Sequence, residues 1–386
     1  MKTLRIIPLA TAALTAAGCS NDAPMVGLGI DDSYRIARMQ TLVLRPALDG
    51  TEYTWSVDGT VESHDRDFVF VTADEGVYTI LLTITDGSET FEHRCVVSVF
   101  HEEVEYSPWI ARVYEYTPGP GQFVNTMPEY TDGDSAADMA AKVLASIGGE
   151  RNELVTLGSF GGYVVFGFDH TVVNVPGEND FRIWGNAFYE ATADGRPGGS
   201  SEPGIVSVSL DVNGNGIPDD PWYELAGSDY GADGTIRSYS VTYRRPDPSK
   251  EGEDAASVAW SDSEGASGYI PHNIFHLQSY WPQWLDSSEE AYTLCGTRLA
   301  PNAEIYPPGS KHYVLYAPAW GYADAHPNDK ADLNSFDISN AVDSRGDRVR
   351  LPGADFIRVH TALNQVCGPI GETSTEISKA CDLHVK

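Results

Sequence analysis

This chain of 386 residues carries none of the familiar signatures of catalysis. There is no Gly-x-Ser-x-Gly elbow, no His-Glu-x-x-His pair and no phosphate-cradling loop. Carboxylates are abundant, but spacing alone promotes no pair to the acid and nucleophile of a glycosidase. Cysteine is scarce, five in all, and none has zinc-ligand spacing. Basic residues are few, 25 Lys and Arg against 56 Asp and Glu, for a net charge of -31. Such a surface repels phosphate backbones, which excludes nucleic acid as a partner, and it favours divalent cations. The acids are spread rather than blocked, which also fits a plain repulsive surface. No apolar run is long enough to span a bilayer as a helix, and no internal repeat has a fixed period.

The chain opens on a processing segment, residues 1–18. Lys2 and Arg5 give positive charge, Ile6 to Ala17 a short apolar run, and Ala16-Ala17-Gly18 small residues before Cys19. This resembles a bacterial lipobox, with Cys19 lipidated, although Ala16 stands where Leu is usual. An ordinary secretory signal is the alternative. Residues 19–25 then form a tether. Asp22 is a weak form of the acidic run that marks surface-directed lipoproteins in Bacteroides-like bacteria. The expected location is the outer membrane, lipid-anchored and facing outside. An exported chain permits disulfides. Cys367 with Cys381 is the candidate pair on proximity, and Cys95, in a strand-like run, is expected as a buried thiol.

Residues 26–100 predict a small β-sandwich. Tyr78, Ile80, Leu82 and Ile84 alternate with Thr79, Leu81, Thr83 and Thr85, and Asp86-Gly87 signals a hairpin. Trp55 reads as a core ring, and Asp74 to Tyr78 as a sheet-to-sheet corner. Trp55-Ser-Val-Asp-Gly59 and Gly76 to Gly87 together resemble a PKD domain, which implies an immunoglobulin-like spacer or interaction module. A linker, 101–108, leads to residues 109–386. There, Ser135 with Asp138 caps a helix ending at Ile147, with Met139, Val143, Leu144 and Ile147 on its apolar face. Elsewhere strands dominate, at 163–168, 205–210, 236–243, 313–316 and 356–361. The expected fold class is mainly β, the second part a larger jelly-roll-like all-β domain with one or few helices. Residues 191–203 and 246–267 read as loops.

Two stretches carry candidate sites. Asp211, Asn213, Asn215 and Asp219 stand at positions 1, 3, 5 and 9 of a calcium-type loop, with Gly216 at 6 and the Ile217 carbonyl at 7. Position 12 holds Trp222 in place of the closing carboxylate, which leaves Asp220 or Glu224 to close the shell. The other reading is a polar hairpin. From Tyr269 to Tyr322, rings, histidines and amides crowd among prolines. Large flat faces beside hydrogen-bonding groups suit a big amphipathic ligand, or else an aromatic-rich core. His170 reads as a hydrogen-bonded strand-end residue.

Residues 161–170, 181–188, 201–206, 222–228, 275–284, 320–324 and 371–375 resemble the PKD-containing cell-surface lipoproteins of Bacteroides-like bacteria. Some members of that family sit beside cobalamin transporters. The resemblance implies a corrinoid ligand, delivered to a TonB-dependent outer-membrane transporter, and no catalytic role. Tyr280, Trp281, Trp284, Trp320 and Tyr322 would then offer faces and edges. Asn273, Gln278 and Gln283 would meet rim amides, and His272 or His326 would approach cobalt. A calcium-containing glycan-binding surface lipoprotein is the alternative.

Overall fold

The computed structural model describes residues 28–192, 194–247, 257–273, 275–286 and 288–385. The processing segment, Cys19 and the tether lie outside the described residues. The fold is mainly β, with one α-helix among the described residues.

Residues 33–100 build a five-stranded sheet in the order Ser33–Ala37, Glu89–Phe100, Gly76–Asp86, Glu52–Val57, Thr60–Ser63. A two-stranded sheet, Leu42–Leu44 with Phe68–Phe70, accompanies it. The period-2 pattern decides which face is buried. Ile80, Leu82 and Ile84 turn inward with Cys95, Val97 and Val99, while Thr79, Leu81 and Thr83 stay partly in water. Trp55 is fully buried, stacks on Phe68 with ring centres 5.2 Å apart, and donates its indole N–H to the Asp65 carbonyl at 3.0 Å. The Tyr78 hydroxyl donates to the Asp74 carbonyl at 3.1 Å, which fastens the corner.

After residue 100 the strands of the described residues fall into six sheets. The central one has six strands, in the order Ala341–Val342, Tyr223–Leu225, Gly204–Ser209, Phe356–Thr361, Tyr163–Gly167, Arg112–Thr117. The helix Ala136–Ile147 begins at a complete capping box and lays Met139, Val143 and Ile147 into this core. Two stretches expected as loops contain strands, Gly198–Ser200 and Val258–Asp262. Their partners supply the apolar cover that their own composition lacks. Gly198 pairs with Tyr316, and a Cβ there would lie 2.9 Å from that ring.

The candidate disulfide is corrected. Cys95, Cys295, Cys367 and Cys381 are all free. Cys381 is held in Lys379–Asp382, paired with Phe181–Trp184, while Cys367 sits at the start of a separate 3-10 turn.

The two parts of the chain touch. Met39, Val71 and Val173 share a small apolar cluster with Tyr106 and Val385 packed on it. Arg45 donates to the Val212 carbonyl at 2.6 Å, and Arg350 pairs with Glu62. His170 is wholly enclosed between Asp169 and Asp382, at 2.8 and 2.9 Å.

Candidate functional site: a groove between the two parts, and two acidic centres

The expected aromatic site does not assemble. Tyr280 and Trp281 are 1% and 2% exposed and pack with Phe160, Tyr239 and Tyr243. Tyr322 is equally buried, but in a different cluster with Ile205, Leu299 and Leu363. Its hydroxyl oxygen accepts the Asp229 N–H at 3.0 Å. Trp284 is half-buried and stacks on Tyr116, ring centres 5.7 Å apart. His326 is buried, bonded to the Tyr189 hydroxyl at 2.6 Å, and burial pushes its pKa down to about 4. His272 meets the Gln278 carbonyl at 2.8 Å, and the Asn273 amide donates to the Pro369 carbonyl at 3.0 Å. Gln278 donates to the Gln122 carbonyl, and Gln283 donates its backbone N–H to Asn125 at 3.0 Å. Prolines 271 and 282 interrupt regular structure in this run, so its polar groups close turns; Tyr280 and Trp281 fill the core, while Tyr269 and Phe275 stay exposed. Of the five rings expected to meet a ligand, Trp320 is the exposed one, at 42%, beside a cavity of about 210 Å³.

A larger space lies elsewhere. A groove of about 970 Å³ runs between the sheets of residues 33–100 and the sheets that follow. Phe68, Phe70 and Tyr78 line it from the first part, and Val173, Leu210 and Tyr223 from the second. Asp65, Asp67 and Asp220 line it together with Arg348 and Arg350. The Tyr223 phenol is pushed up, by burial first and then by the charges of Asp65, Asp343 and Asp220. No single segment carries these residues, so sequence reading had no local signal for them.

The 211–220 loop forms part of the same rim through Val212 and Asp220. The Asp211 carboxylate accepts backbone N–H groups from Gly214, Asn215 and Gly216 at 2.8, 3.1 and 2.8 Å. Gly214 and Gly216 sit at φ +73° and +71°, the left-handed backbone that lets the loop curl. The Asn213 and Asn215 amides both reach Asp219, at 2.9 and 3.1 Å. Of the two closing acids, Glu224 is taken, since Thr297 donates to it at 2.5 Å. Asp220 keeps a buried Oδ2 without a donor. Its pKa is raised, by burial first and then by Asp211 and Asp219. This all-oxygen donor set fits a hard cation.

A second acidic centre, unseen in the sequence, is buried. Carboxylate oxygens of Glu202, Asp324 and Glu376 lie within 4.8 Å of one another. Glu202 accepts the Ser374 N–H at 3.1 Å. Asp324 accepts Asn186, Ala187 and Glu376 N–H groups at 2.7, 2.9 and 2.9 Å. Glu376 accepts from the Thr156 hydroxyl at 3.1 Å. Gly185 is required beside it, because a Cβ there would lie 2.1 Å from Asp324 Oδ1. Burial, then mutual repulsion, holds the Glu202 and Asp324 pKa values far above the usual carboxylate range. Burial raises Glu376 to about 7.

No family model and no curated protein matches this chain. Several solved structures show loose likeness. A quinoprotein alcohol dehydrogenase-like protein from Bacteroides thetaiotaomicron VPI-5482 is 14% identical, with a TM-score of 0.19, over 64% of this chain and 49% of its own. The chain thus spans about half of that protein's length. A SusE-like protein is 9% identical, with a TM-score of 0.30, over 90% of this chain and 94% of its own. The CBM51-2 and INT domains of Clostridium perfringens ZmpB are 10% identical, with a TM-score of 0.12, over 90% and 47%. Likeness this loose carries no function across.

Proposed function

We propose that this chain is a lipid-anchored surface protein that binds a glycan, without turnover, in the groove between its two parts. The groove itself carries the reading: about 970 Å³, with walls from both parts. A space of that order accommodates several sugar rings. Sugars present apolar C–H faces ringed by hydroxyls. Tyr78 and Tyr223 supply aromatic surface; Asp65, Asp67 and Asp220 accept hydroxyl protons, and Arg348 and Arg350 donate. The excess of acid over base favours a neutral glycan over an anionic one.

Calcium in the 211–220 loop would stiffen one edge of the groove, with Asp211, Asn213, Asn215, Asp219, Asp220 and the Ile217 carbonyl as its donors. A lipid on Cys19 would tether the chain to the outer membrane, and hand-over to a TonB-dependent transporter would follow capture. The corrinoid of the family resemblance needs its ring faces gathered in one pocket, and Tyr280, Trp281 and Tyr322 lie in two separate cores.

The test titrates the mature chain with a panel of neutral oligosaccharides, and with cyanocobalamin in parallel. The expected result is glycan binding in roughly the micromolar to millimolar range, weakened in Tyr223→Ala. Binding of cyanocobalamin alone, or glycan binding untouched by Tyr223→Ala, would overturn it.

A further inference from the structure

We infer that Glu202, Asp324 and Glu376 form a second, internal cation site, separate from the 211–220 loop, that takes a hard divalent ion such as calcium or manganese. The three carboxylates come from segments far apart in sequence, and their oxygens lie within 4.8 Å of one another. That spacing lets one ion touch all three. No nitrogen or sulfur ligand accompanies them in this group, which favours a hard ion over zinc or copper.

Glu372 supplies an independent observation. It is 3% exposed, and its Oε2 meets no donor. Its other oxygen accepts the Gln122 N–H at 2.6 Å and lies 2.6 Å from where a Gly121 Cβ would stand. Glu372 lies two residues before Ser374, whose backbone N–H Glu202 accepts at 3.1 Å, in a run buried at every position. The Ser374 hydroxyl accepts the Gly158 N–H at 3.0 Å, and the same Gly121 Cβ would lie 3.3 Å from the Gly158 Cα. The Glu372 charge acts on Glu202, and that of Glu376 acts on Glu372. Four acids are thus buried together, and among the described residues no ion pair joins any of them to a basic side chain. Buried charge without a counter-charge is strongly unfavourable, and a divalent ion removes that cost while bridging three segments.

The test uses the full mature chain carrying Asp211→Ala, which empties the loop. The protein is unfolded in urea with chelator, refolded with calcium or manganese chloride, desalted, and analysed for bound metal by mass spectrometry. The expected result is about one retained ion per chain and a higher Tm than after refolding without metal. Adding Glu376→Gln, whose amide oxygen can still accept from Thr156, should weaken retention roughly tenfold or more. If that variant does not fold, Glu202→Gln is read in its place, since it can still accept the Ser374 N–H. An Asp211→Ala protein that retains no ion and shows one Tm under both conditions overturns the site. Retention unchanged in both glutamine variants overturns it equally. Neither result bears on glycan binding in the groove.

Discussion

Tyr280, Trp281 and Tyr322 lie at 1–2% exposure, whereas Tyr78 and Tyr223 keep part of their rings accessible along the groove. The first set is dense in sequence and the second is scattered. Density of rings is a local property, and facing water is a tertiary one. Tyr280 and Trp281 are core because strands 236–244, 258–262 and 291–298 close over them, while Tyr269, Phe275 and Trp320 of the same stretch stay exposed. The groove is lined from both parts of the chain, which share the Met39, Val71 and Val173 cluster.

The largest expected effect breaks the aromatic stretch as structure. Trp281→Ala should destabilise the fold by about 3–5 kcal/mol in urea denaturation. Glycan affinity of the remaining folded protein should not change. A large affinity loss without destabilisation would return Trp281 to a binding role.

The same contrast between core and water applies to acids. Burial raises Glu376 to about 7 and Glu372 to about 8, from an ordinary value of 4.5. An acid raised by folding keeps the folded state more protonated. Its stabilising share is therefore full below about pH 4.5 and is lost as pH rises through the folded value. Metal-free protein should lose stability steadily between about pH 4.5 and pH 8, read as urea midpoints in chelator. A flat profile would contradict the burial of these acids.

Third in size, Tyr223→Ala should weaken glycan binding roughly tenfold, about 1.4 kcal/mol. Asp211→Ala should abolish calcium binding at the loop and weaken glycan binding roughly threefold, both read by calorimetry. The smallest effect belongs to Trp320→Ala. This exposed ring lies apart from the groove lining, so stability should stay within about 0.5 kcal/mol and affinity should not move. A tenfold affinity loss there would move the ligand out of the groove.

What could be read in the sequence follows from these cases. Alternation at 78–85 and the Ser135–Asp138 capping box are local, and the structure places a strand and a helix there. The 211–220 loop could be singled out for the same reason, since its oxygen-bearing side chains are neighbours in the chain. Glu202, Asp324 and Glu376 could not, because separate segments bring them together. Their one local trace is the run Glu372-Thr-Ser-Thr-Glu376, which is polar at every position and yet buried. Rings at 280, 281 and 322 were legible with two readings, ligand site or aromatic-rich core, and only the strands packed on them decide between the two.

The most direct test of the account is one glycan titration on three proteins: the mature chain, Tyr223→Ala and Trp320→Ala. The account predicts binding by the mature chain, unchanged in Trp320→Ala and roughly tenfold weaker in Tyr223→Ala. Affinity lost in Trp320→Ala and kept in Tyr223→Ala would contradict it.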